Sequence, residues 1–299
     1  MEIAFLIINE DLSLMYKKQK LLLGVIENLR INNRLDKLTL MKIMFLIEKE
    51  NTPKFAMYHF HPYKYGPVSS KLYSDLNFLQ KNNYLNEIKV NNHESYSLTQ
   101  KGMSESDISL NMQYFINKVL QKFPTLENLI DYVYDKYPEY SCRSLRKFIL
   151  KQIKLDNTPG IFLIGYEGRD VDEFMHELIL NNIQILIDIR YNPHSMKYNF
   201  NKNRLEKTLK NIQIEYIHIP ELGIAPKFRK DLKNQQDYEI LFEKYRSELH
   251  NKEKYLQRIR DLANNKRIAL MCFEKEVMQC HRREVGKYLE NLGEKVCSI

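Results

Sequence analysis

IFLIGYEGRDVDEFMHELILNNIQILIDIR, residues 161–190, decides how the second half of the chain is read. It opens on the apolar run IFLIGY, passes a glycine-containing turn, continues as DVDEFMHELILNN with apolar residues at helical spacing, and closes on IQILIDIR. Short apolar runs without polar alternation suit strands buried on both faces, and two such strands joined by a helix are the unit of a parallel sheet. The alternation continues downstream. After a polar loop and a helix near residues 202–211, IEYIHI (214–219) reads as a third strand and helices follow over roughly 237–265. RIALMCFE (267–274) is a fourth strand, HRREVGKYLENL (281–292) a helix and EKVCSI (294–299) a last strand. Residues 159–299 are therefore expected to form an α/β domain with a mostly parallel sheet and covering helices.

Working back from that stretch, LDNTPG (155–160) groups Asn, Thr, Pro and Gly just before the first strand and is the linker candidate. NMQYFINKVLQKF, LENLIDYVYDKY and SLRKFILKQI read as helices, so residues 106–158 are expected to be a helical connector and linker. Nearer the N-terminus, Leu21, Val25, Ile26 and Leu29, then Leu40, Ile43, Met44 and Ile47, recur at helical spacing and predict two helices. In FAMYHFHPYKYGPVSS (55–70), Pro62, Gly66 and Pro67 are expected to interrupt any regular element. A third helix resumes in SSKLYSDLNFLQKNNYL with Ser69 or Ser70 as N-cap. LNEIKV and ESYSLTQ then flank a polar turn at Asn91, Asn92 and His93 as a two-stranded wing. Three helices followed by a hairpin is the order of a winged helix-turn-helix, which predicts an α+β module of that kind over residues 1–105.

Charge and cysteine usage narrow the setting. A formal net charge of +8 and a pI near 9.0 favour polyanionic partners. The four cysteines, Cys142, Cys272, Cys280 and Cys297, are too few for the disulfide framework of a small secreted domain, which points to a reducing, cytoplasmic setting. MEIAFLIINEDL lacks a basic region ahead of its short apolar run and reads as strand or core helix, not as a signal. No stretch of about 18 apolar residues occurs, so no membrane span is expected.

In sheets of this class ligands bind outside the carboxyl ends of the strands. Those ends deliver Tyr166, Glu167, Gly168 and Arg169 from the first strand, Asp188, Arg190, Asn192, His194 and Ser195 from the second, His218 and Glu221 from the third, and Cys272 and Glu274 from the fourth. In the G-Y-E-G turn, free backbone amides could receive an anion, although a plain strand-to-helix turn explains the same residues. Asp188 and Arg190 share a strand face at period two. They either pair with each other, or Arg190 binds an anion while Asp188 orients a base or nucleophile. The densest cluster is MCFEKEVMQCHRREVGKYLE, in which Cys280, His281 and Arg282 are expected in the first turn of a helix, where the dipole and the neighbouring cations would favour a thiolate.

Spacing removes three familiar chemistries. A cysteine-phosphatase loop needs Arg six positions after Cys, where Met278 and Gly286 stand, and a rhodanese loop needs it five positions on, where Val277 and Val285 stand. The His-x-Glu and Pro-Cys-x-x-Cys pair of a zinc-dependent base deaminase is missing. The cofactor is left undetermined. A divalent metal on Cys272, Cys280 and His281, with Glu274, His194 or His218 as fourth ligand, is an open alternative that is not favoured, because an adjacent Cys and His point in different directions at a helix start.

Two resemblances add to this reading. KLTLMKIMFLIEKE and YKYGPVSSKLYSDLNFLQKNNYL, with Tyr-Gly-Pro-Val at residues 65–68, resemble the winged-helix domains of the Panacea antitoxin and phage-associated group. That resemblance implies either DNA contact or docking of a protein partner. From residue 161 onward, IGYEGRDVDEF, DIRYNPHS with Phe200 and Asn201, IHIPELGI and LMCFEKEVMQCHRR resemble the domain-of-unknown-function family 488. Ile224 departs from the second glycine common there, and Tyr191 and Asn192 replace smaller residues. By resemblance the family's polar positions fall on Tyr166, Gly168, Asp188, Arg190, Pro193 and Ser195, then on Cys272, Glu274, Cys280, His281 and Arg282. The family implies an α/β domain of unassigned activity, in nucleic-acid or defence contexts.

The function expected is that of a nucleic-acid-associated enzyme with hydrolytic or base-directed chemistry, DNA being favoured over RNA. Asp188, Cys272, Glu274, Cys280 and His281 are its expected catalytic groups, and Tyr166, Glu167, Gly168, Arg190, Ser195 and Arg282 its anion-binding ones. The alternative is a DNA- or protein-binding regulator or defence component whose second domain senses a small anion or redox state.

Overall fold

Helical stripes of apolar side chains build the first unit. In α1 (Glu2–Ile31) and α2 (Lys37–Glu50), Leu22, Val25, Ile26 and Leu29 meet Leu40, Ile43, Met44 and Ile47 in one core, as their 3.6-residue spacing requires. The apolar run at the start of the sequence lies within α1. Asp36 opens α2, its Oδ1 accepting from the amides of Leu38 and Thr39 at 2.9 Å each.

The following segment corrects the sequence reading. Instead of interrupting regular structure, Pro62, Gly66 and Pro67 sit in a hairpin of β1 (His61–Tyr63) and β2 (Gly66–Val68), with Pro62 opposite Pro67. Every second pair of an antiparallel ladder exchanges no backbone hydrogen bonds, so two prolines facing each other forfeit none. Gly66, at φ +89°, supplies the left-handed residue that closes the two-residue loop. Ser69 then caps α3 (Ser70–Lys81), accepting from Leu72 N, and β3 (Leu85–Val90) pairs antiparallel with β4 (His93–Leu98) as an expected hairpin. Next come α4 (Gln100–Glu105), α5 (Leu110–Lys122) and α6 (Leu126–Lys136). The stretch expected to be a connector places Ile116, Leu120, Leu129 and Val133 in the core formed by α1 and α2.

The computed structural model describes residues 2–50, 57–90, 93–146, 153–228, 232 and 235–299. The expected turn at 91–92 and most of the helix expected over 144–153 lie outside them. The chain folds as two units, Met1–Ile153 and Lys154–Ile299.

The second unit runs β5 (Gly160–Gly165), α7 (Val171–Leu180), β6 (Ile185–Asp188), α8 (Lys202–Asn211), β7 (Glu215–His218), α9 (Gln235–Glu248), α10 (Glu253–Ala263), β8 (Arg267–Cys272), α11 (Arg282–Asn291) and β9 (Val296–Ser298). Its five strands are all parallel, in the order β7-β6-β8-β5-β9. From β5 to β7 the chain moves one way across the sheet, and from β7 to β9 it moves back. With right-handed crossovers this places α7 and α8 on one face and α9, α10 and α11 on the other. Alternate residues confirm the second face: Ile161, Leu163, Ile187 and Leu270 pack with Phe242, Leu256, Ile259 and Val285.

β8 lies between β5 and β6. Its outgoing loop passes to one face, whereas those of β5 and β6 pass to the other. A crevice therefore opens around the carboxyl end of β8, which ends on Cys272.

Candidate active site

Asp188, at the end of β6, is fully buried and anchors one side of the crevice. Its Oδ1 accepts from Arg190 N at 3.0 Å and Nε at 2.9 Å, and its Oδ2 accepts from Arg190 Nη2 at 2.6 Å and from the Tyr216 hydroxyl at 2.7 Å. Arg190 also donates to the Tyr166 hydroxyl at 2.8 Å and to the Phe200 carbonyl at 3.0 Å. Tyr166 in turn stacks on Phe200 at 4.3 Å. Of the two roles open in the sequence, the pairing of Asp188 with Arg190 is the one observed. Burial works against the Arg190 charge, but hydrogen bonds and charge from Asp188 outweigh it and raise the pKa. Burial, reinforced by Asp188, likewise raises the Tyr216 phenol. Four of the five guanidinium N–H groups are occupied, one on Nε, one on Nη1 and two on Nη2, which leaves a single donor for a ligand.

The other side holds the thiols. Cys272 Sγ lies 3.4 Å from Glu274 Oε2 and 3.7 Å from His281 Nδ1, and Cys280 Sγ lies 3.8 Å from the same nitrogen. His281 Nε2 is 3.2 Å from the Ile189 carbonyl. A carbonyl only accepts, so Nε2 carries a proton, and Nδ1 faces both sulfurs. Here the sequence expectation needs correcting. Cys280 is extended (φ −130°, ψ 141°) and precedes the helix, which begins at Arg282 with His281 as its N-cap. Burial, followed by Cys272 and Glu274, pushes the Cys280 thiol up, with Arg282 opposing.

The remaining expected anion-binding groups are engaged within the protein or on the cleft rim. Arg282 is fully buried; its Nη1 donates to the Glu274 carbonyl and its Nη2 to the Lys275 carbonyl at 2.7 Å, so it pins the loop after β8 and does not reach the crevice. The amides of Tyr166 and Glu167 both donate to the Phe273 carbonyl, at 3.1 and 2.8 Å, and Glu167 Oε2 accepts from Lys275 N at 2.9 Å. At the start of α7, Asp170 and Glu173 form a capping box, in which Asp170 Oδ1 takes the amides of Asp172 and Glu173. The turn around Gly168 (φ +72°) thus fastens two loops together in place of the open anion nest. Gly165 allows it: a Cβ there would collide with the Glu274 carbonyl.

A cleft of about 570 Å³ opens above these groups, bordered by Tyr166, Arg190, Cys272 and His281 at its base and by Tyr191, His194, Ser195, Met196, Lys197 and Phe273 around its rim. Ser195 Oγ accepts from Lys197 N at 3.1 Å, shaping that rim. His218 bonds the Arg190 carbonyl at 2.9 Å instead, and neither it nor His194 belongs to the thiol cluster. Sequence reasoning missed Tyr216, Phe200 as a carbonyl acceptor, and Ile189, whose carbonyl accepts from His281 Nε2. Tyr216 alone carried a signal, being two residues before His218 on the same face of its strand.

Residues 170–289 match the family model described as "Domain of unknown function DUF488". No curated protein matches the chain. The DUF488-matching stretch carries Asp188, Arg190, Cys272, Glu274, Cys280, His281 and Arg282, while β5 with Tyr166, β9 and the whole first unit lie outside it.

Proposed function

We propose that the chain is a nucleic-acid-associated enzyme in which the DUF488-like cleft acts on a nucleotide unit, by hydrolytic or base-directed chemistry, and the first unit recruits the polymer. The supporting observation is that the Cys272 thiol, the His281 imidazole and the Arg190 guanidinium line the base of a cleft sized for a small ligand, whose rim joins exposed Tyr191 and Phe273 to Lys197 and His194. Aromatic faces stack bases, and cations meet phosphates. Cys272 and His281 face the substrate, the spare Arg190 N–H binds an oxygen of it, and Asp188 holds Arg190 in place. The order of helices and hairpin in the first unit suits a winged helix and so favours DNA over RNA as the recruited polymer, while the net charge of +8 suits a polyanion of either kind.

Incubation of the full chain with end-labelled DNA and RNA, with and without divalent metal, tests this. Cleaved or modified DNA that disappears in His281→Asn, with binding retained, is the expected result. Unchanged substrates alongside intact binding would overturn it. Convergence of two thiols on one imidazole nitrogen favours a second reading, a redox-sensing regulator. Its signature is a Cys272–Cys280 disulfide after mild peroxide together with changed DNA or protein binding.

A further inference from the structure

We propose that Cys272, Cys280 and His281 hold a zinc ion at the base of the cleft, with the fourth tetrahedral position left to a water or substrate oxygen. This inference goes beyond the proposed function and stands or falls separately from it. Three observations carry it. First, the donors converge from two directions, Cys272 at the end of β8 and Cys280 and His281 at the entry to α11, so that the two Sγ atoms and the imidazole nitrogen lie within 4.8 Å of one another. The objection drawn from sequence, that adjacent Cys and His side chains diverge at a helix start, fails because Cys280 is extended and only His281 has helical dihedrals.

Second, the separations match a coordination polyhedron. Zinc bonds of about 2.3 Å to sulfur and about 2.0–2.2 Å to nitrogen and oxygen, at tetrahedral angles, put neighbouring donors about 3.5–3.8 Å apart. The Cys272–His281 and Cys280–His281 separations are 3.7 and 3.8 Å. Oxygen-seeking magnesium and calcium do not select two thiolates, whereas zinc takes a mixed sulfur, nitrogen and oxygen set.

Third, the outer layer that metal sites use is already built. The Ile189 carbonyl holds the proton on His281 Nε2 and turns Nδ1 inward. The loop bearing Glu274 is fixed from both sides, by Arg282 on the carbonyls of Glu274 and Lys275 and by the Tyr166 and Glu167 amides on the carbonyl of Phe273. Binding converts both thiols to thiolates and releases their two protons to solvent.

Elemental analysis of the purified full chain is the test, supported by equilibration of stripped protein with cobalt(II). About one zinc per chain, and in the cobalt form the thiolate charge-transfer absorption with the d–d bands of a tetrahedral ion, are expected. Cys272→Ser and Cys280→Ser should each lower zinc at least tenfold, and Cys142→Ser and Cys297→Ser should leave it unchanged. Should the serine variants fail to fold, a mercurial thiol reagent applied to the wild-type chain must release the zinc as thiols are modified. Less than a tenth of an equivalent of zinc in wild type, both as purified and after equilibration with zinc, overturns the proposal, as does zinc that resists the mercurial. Zinc present without action on nucleic acid would refute the proposed function alone; action on nucleic acid without zinc would refute the metal alone.

Discussion

Asp188 is the residue whose loss should be felt most widely. It sits with no exposed surface between Arg190 and Tyr216, and Arg190 is itself only 6% exposed. Removing one partner of a buried ion pair leaves the other charge uncompensated, at about 3–5 kcal/mol. Asp188→Asn should therefore lower unfolding stability by about that amount in urea titrations. A loss under about 1 kcal/mol would mean that Arg190 finds its anchorage elsewhere, at the Tyr166 hydroxyl or the Phe200 carbonyl. The composition of the site was legible in the sequence, because strand ends in a parallel sheet gather at one edge and the polar residues there could be named. Division of labour among them was not. Arg190 and Arg282 are both arginines at the crevice edge of the sequence pattern, yet one borders the cleft and the other grips backbone carbonyls, a difference set by side-chain direction.

At the scale of elements, two glycines with left-handed backbone separate strain from space. Gly168 has φ +72° and open surroundings, so Gly168→Ala meets only the conformational cost, about 1–2 kcal/mol. Gly66 has φ +89°, and a Cβ there would meet Tyr134 Cε1 at 2.5 Å and Lys42 Nζ at 2.9 Å. Gly66→Ala should destabilise distinctly more than Gly168→Ala, because it presses the β1–β2 hairpin away from α2 and α6. Thermal or chemical melts of the two variants compare them directly, and equal losses would show that the hairpin yields without cost. The same hairpin marks a limit of sequence reading. Pro and Gly at short spacing speak against regular structure in general, and only the pairing of Pro62 with Pro67 removes the objection. The parallel strands posed no such difficulty, since burial on both faces writes them as continuous apolar runs. The entry to α11 shows how little separates two chemistries: with the helix starting at Arg282 instead of Cys280, the thiol leaves the first turn and faces the imidazole.

At the scale of the whole molecule, stability should carry the mark of one buried cation. Lys42 has no exposed surface within the first core; its Nζ donates to the Tyr65 carbonyl, and burial lowers its pKa from 10.5 to about 7. In the unfolded chain the amine keeps its proton up to about pH 10.5, whereas in the folded chain it loses it near 7. Between those values the unfolded state binds more protons, so stability must rise with pH across this window. Below pH 7 both states are protonated and the full cost of burying the charge remains. A pKa unit corresponds to about 1.4 kcal/mol, so the Lys42 contribution should improve by roughly 2 kcal/mol between pH 7 and 9. Other titrations overlap the upper end, notably Cys142, whose thiol burial pushes up to about 11 and which works in the opposite sense above its unfolded value of 9.0. The clean measurement is therefore the difference in unfolding free energy between wild type and Lys42→Met, followed from pH 6 to pH 9. Met removes the charge and keeps the length, and it leaves the Tyr65 carbonyl unbonded at every pH, an offset that does not change the slope. A difference that stays level across the range would mean that Lys42 keeps its proton when folded, and that the carbonyl satisfies an ammonium ion in the core.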